Sequence, residues 1–124
     1  LKVLRERVKN MVKVGEAADC DYAEAARRET AIRFVTDAFN GKVDSILSRV
    51  KAENGGKLQQ QIRDAFAIVN GNGEAFKNAR ITQEFLDARL EELKWACIAH
   101  EIKKQEAEEQ RRIKERIREE EKAK

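Results

Sequence analysis

Residues 82–124 read TQEFLDARLEELKWACIAHEIKKQEAEEQRRIKERIREEEKAK, 43 residues without a glycine or a proline. A run so rich in Ala, Leu, Glu, Lys and Arg predicts one uninterrupted helix, with Thr82 as its N-cap and with Ile81 and Leu86 in the positions of a hydrophobic staple. At a rise of 1.5 Å per residue such a helix is roughly 64 Å long, which exceeds the diameter of a globule of this size. We therefore expect one end to pack on the rest of the chain and the other end to project from it.

The two ends of this predicted helix differ in composition. From Lys103 onward, 16 of 22 residues are charged. Before that point an apolar stripe runs at helical spacing, formed by Leu86, Leu90, Leu93 and Cys97, with His100 predicted to pack at its end. The pattern predicts that residues 82–102 pack on a helical head, residues 1–81, and that residues 103–124 form a charged, coiled-coil-like arm.

The sequence pattern of residues 1–81 predicts four shorter helices. Leu1, Leu4, Val8 and Met11 recur at helical spacing and indicate a first helix that ends near Gly15. We expect the second helix to end at Asn40-Gly41, a third to begin near Val43 and end at Gly55-Gly56, and a fourth to begin near Leu58 and end before the turn at residues 71–73. Residues 74–81 are predicted to form a loop anchored by Phe76 and Ile81, and no strand period is present. The fold class predicted is all-α: a small helical bundle closed by the long C-terminal helix.

The first helix carries the sharpest charge imbalance of the chain. Five cations against the single Glu6 give a local charge of +4 in a chain whose formal net charge is only +3. Such a surface is either an ordinary solvated face or a surface that contacts nucleic-acid phosphates. The candidate nucleic-acid-binding residues are Lys2, Arg5, Arg7, Lys9 and Lys13.

A second apolar face lies on the long helix, on the side opposite the core stripe. At about 100° per residue, the members of this face fall near one line. We expect the head to cover Trp95, while the outer isoleucines stay exposed and the arm acts as a spacer; the alternative is contact with a partner chain. The second apolar face consists of Trp95, Ile98, Ile102, Ile113 and Ile117.

The sequence contains no recognisable catalytic motif. No phosphate-binding glycine loop, Cys/His metal cluster or Ser/His/Asp arrangement can be assembled, so we expect neither catalytic residues nor metal ligands in this segment. Glu91 and Glu92 are interpreted as solvated carboxylates. The apolar runs are too short to cross a bilayer.

Seven short runs together resemble the bacterial and phage family called domain of unknown function 4041. In that family the long helix leads into a nuclease domain of the GIY-YIG type, which cuts DNA with a bound divalent metal. The resemblance covers the chain from about Glu29 onward. The runs are residues 38–41 (AFNG), 81–82 (IT), 85–86 (FL), 90–93 (LEEL), 103–106 (KKQE), 109–113 (EQRRI) and 118–122 (REEEK).

This resemblance implies a non-catalytic recognition and positioning module of a larger metal-dependent DNA endonuclease that restricts phage DNA. The segment itself would need no cofactor, because the divalent metal would sit in the nuclease domain. The implied partners are DNA and a phage or membrane protein, on the cytoplasmic side of a membrane reached through an upstream segment. A rival hypothesis is a structural module that forms homo-oligomers through the long helix and does not contact nucleic acid.

Overall fold

The computed structural model describes residues 1–123 and is 77% helical, which confirms the predicted all-α class. The chain order is α1, β1, α2, α3, β2 and α4. Lys124, the last residue of the predicted arm, lies outside the described residues. The elements are α1 (Lys2–Lys13), β1 (Ala18–Asp19), α2 (Ala25–Leu47), α3 (Gly55–Gly73), β2 (Arg80–Ile81) and α4 (Gln83–Ala123).

Helix α2 replaces two of the predicted helices. It passes through Asn40-Gly41 without interruption, so the predicted stop at this dipeptide is wrong. A glycine inside a helix costs about 1 kcal/mol, but Phe39 and Val43 on either side are both fully buried. Because burying these two side chains requires a continuous helical stripe, packing outweighs the local preference of Gly41.

Backbone hydrogen bonds and the buried side chain of Ile81 together order the segment between α3 and α4. The amides of Phe76 and Ala79 both donate to the carbonyl of Gly73, at 2.9 and 3.0 Å. Residues Ala18 and Asp19 pair antiparallel with Ile81 and Arg80, a two-stranded sheet that the sequence did not predict. Two residues per strand are too few to show a period. The predicted anchor Phe76 is exposed, whereas Ile81 is buried.

The start of α4 follows the prediction. The hydroxyl oxygen of Thr82 accepts a hydrogen bond from the amide of Phe85 at 3.2 Å, as an N-cap does. The same hydroxyl donates to the carbonyl of Glu16 at 3.1 Å, and this bond ties the start of α4 to the segment after α1. Ile81 and Leu86, the predicted hydrophobic staple, are both buried.

Three aromatic rings form the centre of the head. Phe39 of α2 is fully buried and meets Phe66 of α3 and Phe85 of α4 edge-on, with ring centroids 6.3 and 6.0 Å apart. Three helices therefore meet at one side chain. The buried side chains of α4 lie between Phe85 and Leu93, near its start. The helix has 41 residues, about 60 Å, and its exposed outer part extends away from this core.

Candidate functional site

The basic residues of α1 do not form one cluster. Lys2, Arg5, Lys9 and Lys13 follow one another at intervals of three or four residues, so they share one face of the helix. Arg7 lies two residues from both Arg5 and Lys9, about 200° around the helix, and is separated from them by the buried stripe. All five side chains are exposed. The structure thus groups four of the predicted nucleic-acid-binding residues, here called the basic face, and excludes Arg7.

The basic face borders a groove between α1, α2 and α4. The groove has a volume of about 590 Å³, and Arg5 and Lys9 form its α1 wall. Helices α2 and α4 contribute Asn40, Asp44 and Arg89 to the same groove. Within residues 1–123, no cation of the basic face forms an ion pair with a carboxylate. These cations are therefore exposed and form no ion pair within the part of the chain that the structure describes.

An ion-pair network that was not predicted from the sequence lies at the base of this groove. Arg89 and Glu92 are both buried at 5% exposure, and the guanidinium donates to the Glu92 carboxylate at 3.4 Å. The guanidinium also bonds to Asp44 on α2. Glu92, predicted to be a solvated carboxylate, is therefore a buried one. The network links α4 to α2.

The electrostatics of this network favour the neutral form of Glu92. Burial raises the pKa of the Glu92 carboxyl, and the nearby Asp44 charge adds to the effect. The guanidinium groups of Arg89 and Arg5 oppose the shift without cancelling it. Three buried polar atoms have no hydrogen-bond partner within the described part of the chain: Arg89 Nε in the network itself, Asn40 Oδ1 in the same groove, and Thr36 Oγ1 elsewhere on α2. Burial of the polar groups between α2 and α4 is thus not fully offset by hydrogen bonds.

The raised pKa of Glu92 predicts how the stability of the domain depends on pH. Because the folded-state pKa of Glu92 is raised above its usual value of 4.5, the stabilising contribution of the protonated form is complete below that pH. The contribution is lost as pH rises through the folded-state pKa. Glu92→Gln cannot titrate, so the stability of the wild type relative to this variant should fall as pH rises from about 4 toward 7.

Urea denaturation of both proteins at a series of pH values measures this difference. Glu53→Gln removes a carboxylate from an exposed loop position and serves as the matched control. If the wild type instead gained stability relative to Glu92→Gln over the same pH interval, burial would not raise the pKa of Glu92, and the prediction would be wrong.

The second apolar face of α4 is exposed along its whole length, which corrects one prediction. Trp95 is 42% exposed, Ile98 36% and Ile102 50%, so the head does not cover them. Ile113 and Ile117 farther out are exposed as predicted, at 39% and 50%. The Trp95 indole N–H donates to Glu91 of the same helix at 3.0 Å. The head cannot reach this face because its helices pack on the opposite side of α4, through Phe85, Leu86 and Leu93.

Two further features lie outside the predicted sites. An apolar groove of about 610 Å³ opens between α2 and the loop before β2, with the exposed rings of Phe34 and Phe76 at a centroid distance of 6.3 Å. His100, predicted to pack in the core, is exposed. In the described residues, no group of His, Cys, Asp or Glu side chains is placed to hold a metal ion. None of the helices described is long and apolar enough to cross a membrane.

A comparison with family models decides the family. The model described as "SNIPE associated domain" matches residues 1–106, which is most of the chain and includes the basic face and the entire head. The chain belongs to the SNIPE associated domain family. This match overturns the resemblance to the domain of unknown function 4041, which rested on short runs and left α1 uncovered. No curated protein and no solved structure matches the chain.

The SNIPE associated domain is found alongside nuclease domains, which agrees with a nuclease-associated module. The match ends at residue 106, so the outer part of α4 lies beyond the matched region. The matched residues of this SNIPE associated domain therefore carry three exposed surfaces: the basic face, the apolar groove at Phe34 and Phe76, and the inner part of the second apolar face.

Proposed function

We propose that this SNIPE associated domain is a non-catalytic recognition and positioning module of a larger DNA nuclease. The observation that carries the proposal is the family match, because domains of this family occur alongside nuclease domains. The architecture supports it. The head exposes surfaces that suit binding, and α4 provides a continuous helix of 41 residues that can hold a second domain at a distance.

In this proposal the basic face makes weak contacts with DNA phosphates. Four cations along one helix face match a phosphate backbone, and none of them is committed to an ion pair in residues 1–123. The basic face contains Lys and Arg side chains but no Asn or Gln side chain. It is not part of a motif that inserts a recognition helix to read base edges. Binding should therefore be independent of base sequence and steeply dependent on salt.

A salt titration tests the nucleic-acid contact. If all four cations meet phosphates, affinity for duplex DNA should fall about 100-fold between about 50 and 200 mM salt. The variant with Lys2, Arg5, Lys9 and Lys13 changed to Ala should bind more weakly at low salt and show a flatter salt dependence. Fluorescence anisotropy with a labelled duplex measures both quantities.

A matched control separates the basic face from overall charge. The control variant removes four exposed cations elsewhere on the head that form no ion pair in residues 1–123, by changing Arg33, Lys42, Lys57 and Arg63 to Ala. It should bind DNA more tightly than the basic-face variant does. Equal losses in the two variants, or no binding by the wild type, would favour a module that does not contact nucleic acid.

The finer parts of the sequence-based hypothesis stay predictions. They are a nuclease domain of the GIY-YIG type with its divalent metal, a role in anti-phage defence, recognition of a phage or membrane protein, and a place on the cytoplasmic side of a membrane. The nuclease type was implied only by the corrected resemblance. The groove at Phe34 and Phe76 is a surface where a protein partner could bind, because its lining is mainly apolar and its aromatic rings are exposed.

A second candidate function is oligomerisation through α4. The specific observation that favours it is the uncovered second apolar face, which runs from Trp95 to Ile117 along one side of the helix. Recognition and oligomerisation are compatible, because the basic face lies on α1 and the second apolar face on the outer part of α4.

A further inference from the structure

The outer part of α4 has an approximately palindromic sequence. Residues 98–117 read IAHEIKKQEAEEQRRIKERI. Counted outward from the midpoint between Ala107 and Glu108, the second to sixth residues are Glu, Gln, two cations and Ile in both directions. Ile98 and Ile117 are the tenth residues in the two directions. The segment is thus close to a chemical palindrome, with four isoleucines at symmetric positions on the exposed second apolar face.

We propose that the second apolar face binds a second copy of this chain in antiparallel orientation, with the twofold axis between Ala107 and Glu108. In an antiparallel pair about this axis, Ile102 is level with Ile113 of the second copy, and Ile98 is level with Ile117. Each isoleucine of the face therefore meets an isoleucine. This proposal rests on the second candidate function, oligomerisation through α4, and does not depend on a contact with DNA.

The charges along the segment favour this orientation. At about 100° per residue, Glu101 and Arg112 lie on the same flank of the apolar seam, and the symmetric register brings Glu101 within one turn of Arg112 of the second copy, an opposite charge. A parallel pair in register would instead place the cation-rich segment 111–118 beside its own copy. Opposite charges that flank an apolar seam select the partner and its orientation.

The centre of the pair is polar and limits its strength. Glu106 is level with Glu109 of the second copy, and Gln105, Lys103 and Arg112 lie within one turn of this pair. Carboxylates that lie level across a helical interface repel one another and cost stability, and the nearby cations offset part of this repulsion. The dimer should therefore be reversible.

Trp95 would report on the association. In this register its indole lies within one turn of Ile117 of the second copy, so dimerisation would cover a ring that is 42% exposed in the monomer. The sequence contains one tryptophan. Its emission should move to shorter wavelength as the concentration of the chain increases.

Analytical ultracentrifugation of the chain over a concentration series, with tryptophan emission recorded on the same samples, tests the proposal. We expect a monomer–dimer equilibrium that Ile113→Ser with Ile117→Ser weakens at least about 100-fold, because four isoleucines leave the interface. Helicity and thermal melting of the monomer should be unchanged, since both side chains are exposed. The control, Lys104→Ser with Arg111→Ser, alters the opposite side of the same helix and should dimerise like the wild type.

A charge exchange tests the orientation. Glu101→Lys and Arg112→Glu should each weaken dimerisation, whereas the double variant should restore it, because in the antiparallel register the two changed residues lie on the same flank within one turn of each other. In a parallel dimer the double variant would restore nothing. A wild type that stays monomeric at millimolar concentration, a control that fails to dimerise, or a double variant without rescue would overturn the proposal.

Discussion

Replacing Phe39 by alanine should lower the free energy of unfolding by about 3 to 5 kcal/mol. The ring is fully buried and packs edge-on against Phe66 and Phe85, so its removal leaves a cavity where α2, α3 and α4 meet. A loss of this size is a large part of the stability of a small domain. The variant should unfold at a much lower urea concentration than the wild type.

Phe34→Ala is the matched control for this prediction. Phe34 lies on the same helix, five residues before Phe39, but is 64% exposed, so its removal should cost less than about 1 kcal/mol. Urea denaturation followed by circular dichroism compares the two variants under identical conditions. Similar losses for both would mean that the three-ring contact is not the centre of the head.

Replacing Gly73 by alanine should cost about 3 kcal/mol, at the upper end of what overpacking costs. A Cβ atom at this position would lie 1.8 Å from the carbonyl oxygen of Ala79, which is backbone and cannot rotate away. The same carbonyl belongs to the segment whose amides bond to Gly73. The substitution should therefore open the loop between α3 and β2 and weaken the pairing of the two short strands.

Gly71→Ala provides the control for Gly73→Ala. Gly71 lies in the same helix, but a Cβ built there meets no heavy atom within 4 Å. Alanine should therefore stabilise the domain by up to about 1 kcal/mol through its higher helix propensity. Opposite signs for the two variants in thermal melts would support the close approach at Gly73, and two stabilised variants would disprove it.

Features set by neighbouring residues could be predicted from the sequence, and features set by packing could not. The cap at Thr82 and the stripe through Val8 and Met11 depend on residues one or two turns apart, and both are present. Asn40-Gly41 has the composition of a turn, but the burial of Phe39 and Val43 keeps it helical. The two-residue strands depend on residues more than 60 positions apart.

The same distinction between local features and packing applies to the candidate site. The cations of α1 were identified from composition, and helical spacing alone could have separated Arg7 from the other four. Arg89 and Glu92 were missed, although Phe85, Arg89, Glu92 and Ala96 recur at helical spacing and indicate a buried side. The exposure of Trp95 could not be read from periodicity, because a pattern with two apolar faces does not say which face the head covers.

Plasmid cleavage tests the central claim most directly. Residues 1–124, the larger nuclease and the same nuclease without residues 1–81 are each incubated with plasmid DNA and Mg²⁺ or Mn²⁺ over a range of protein concentrations. We expect that the nuclease cuts, that the truncated nuclease needs more protein for the same cleavage, and that residues 1–124 alone do not cut. Nicking by residues 1–124 that persists through further purification, or equal cleavage by the full and truncated nucleases, would contradict the proposed function.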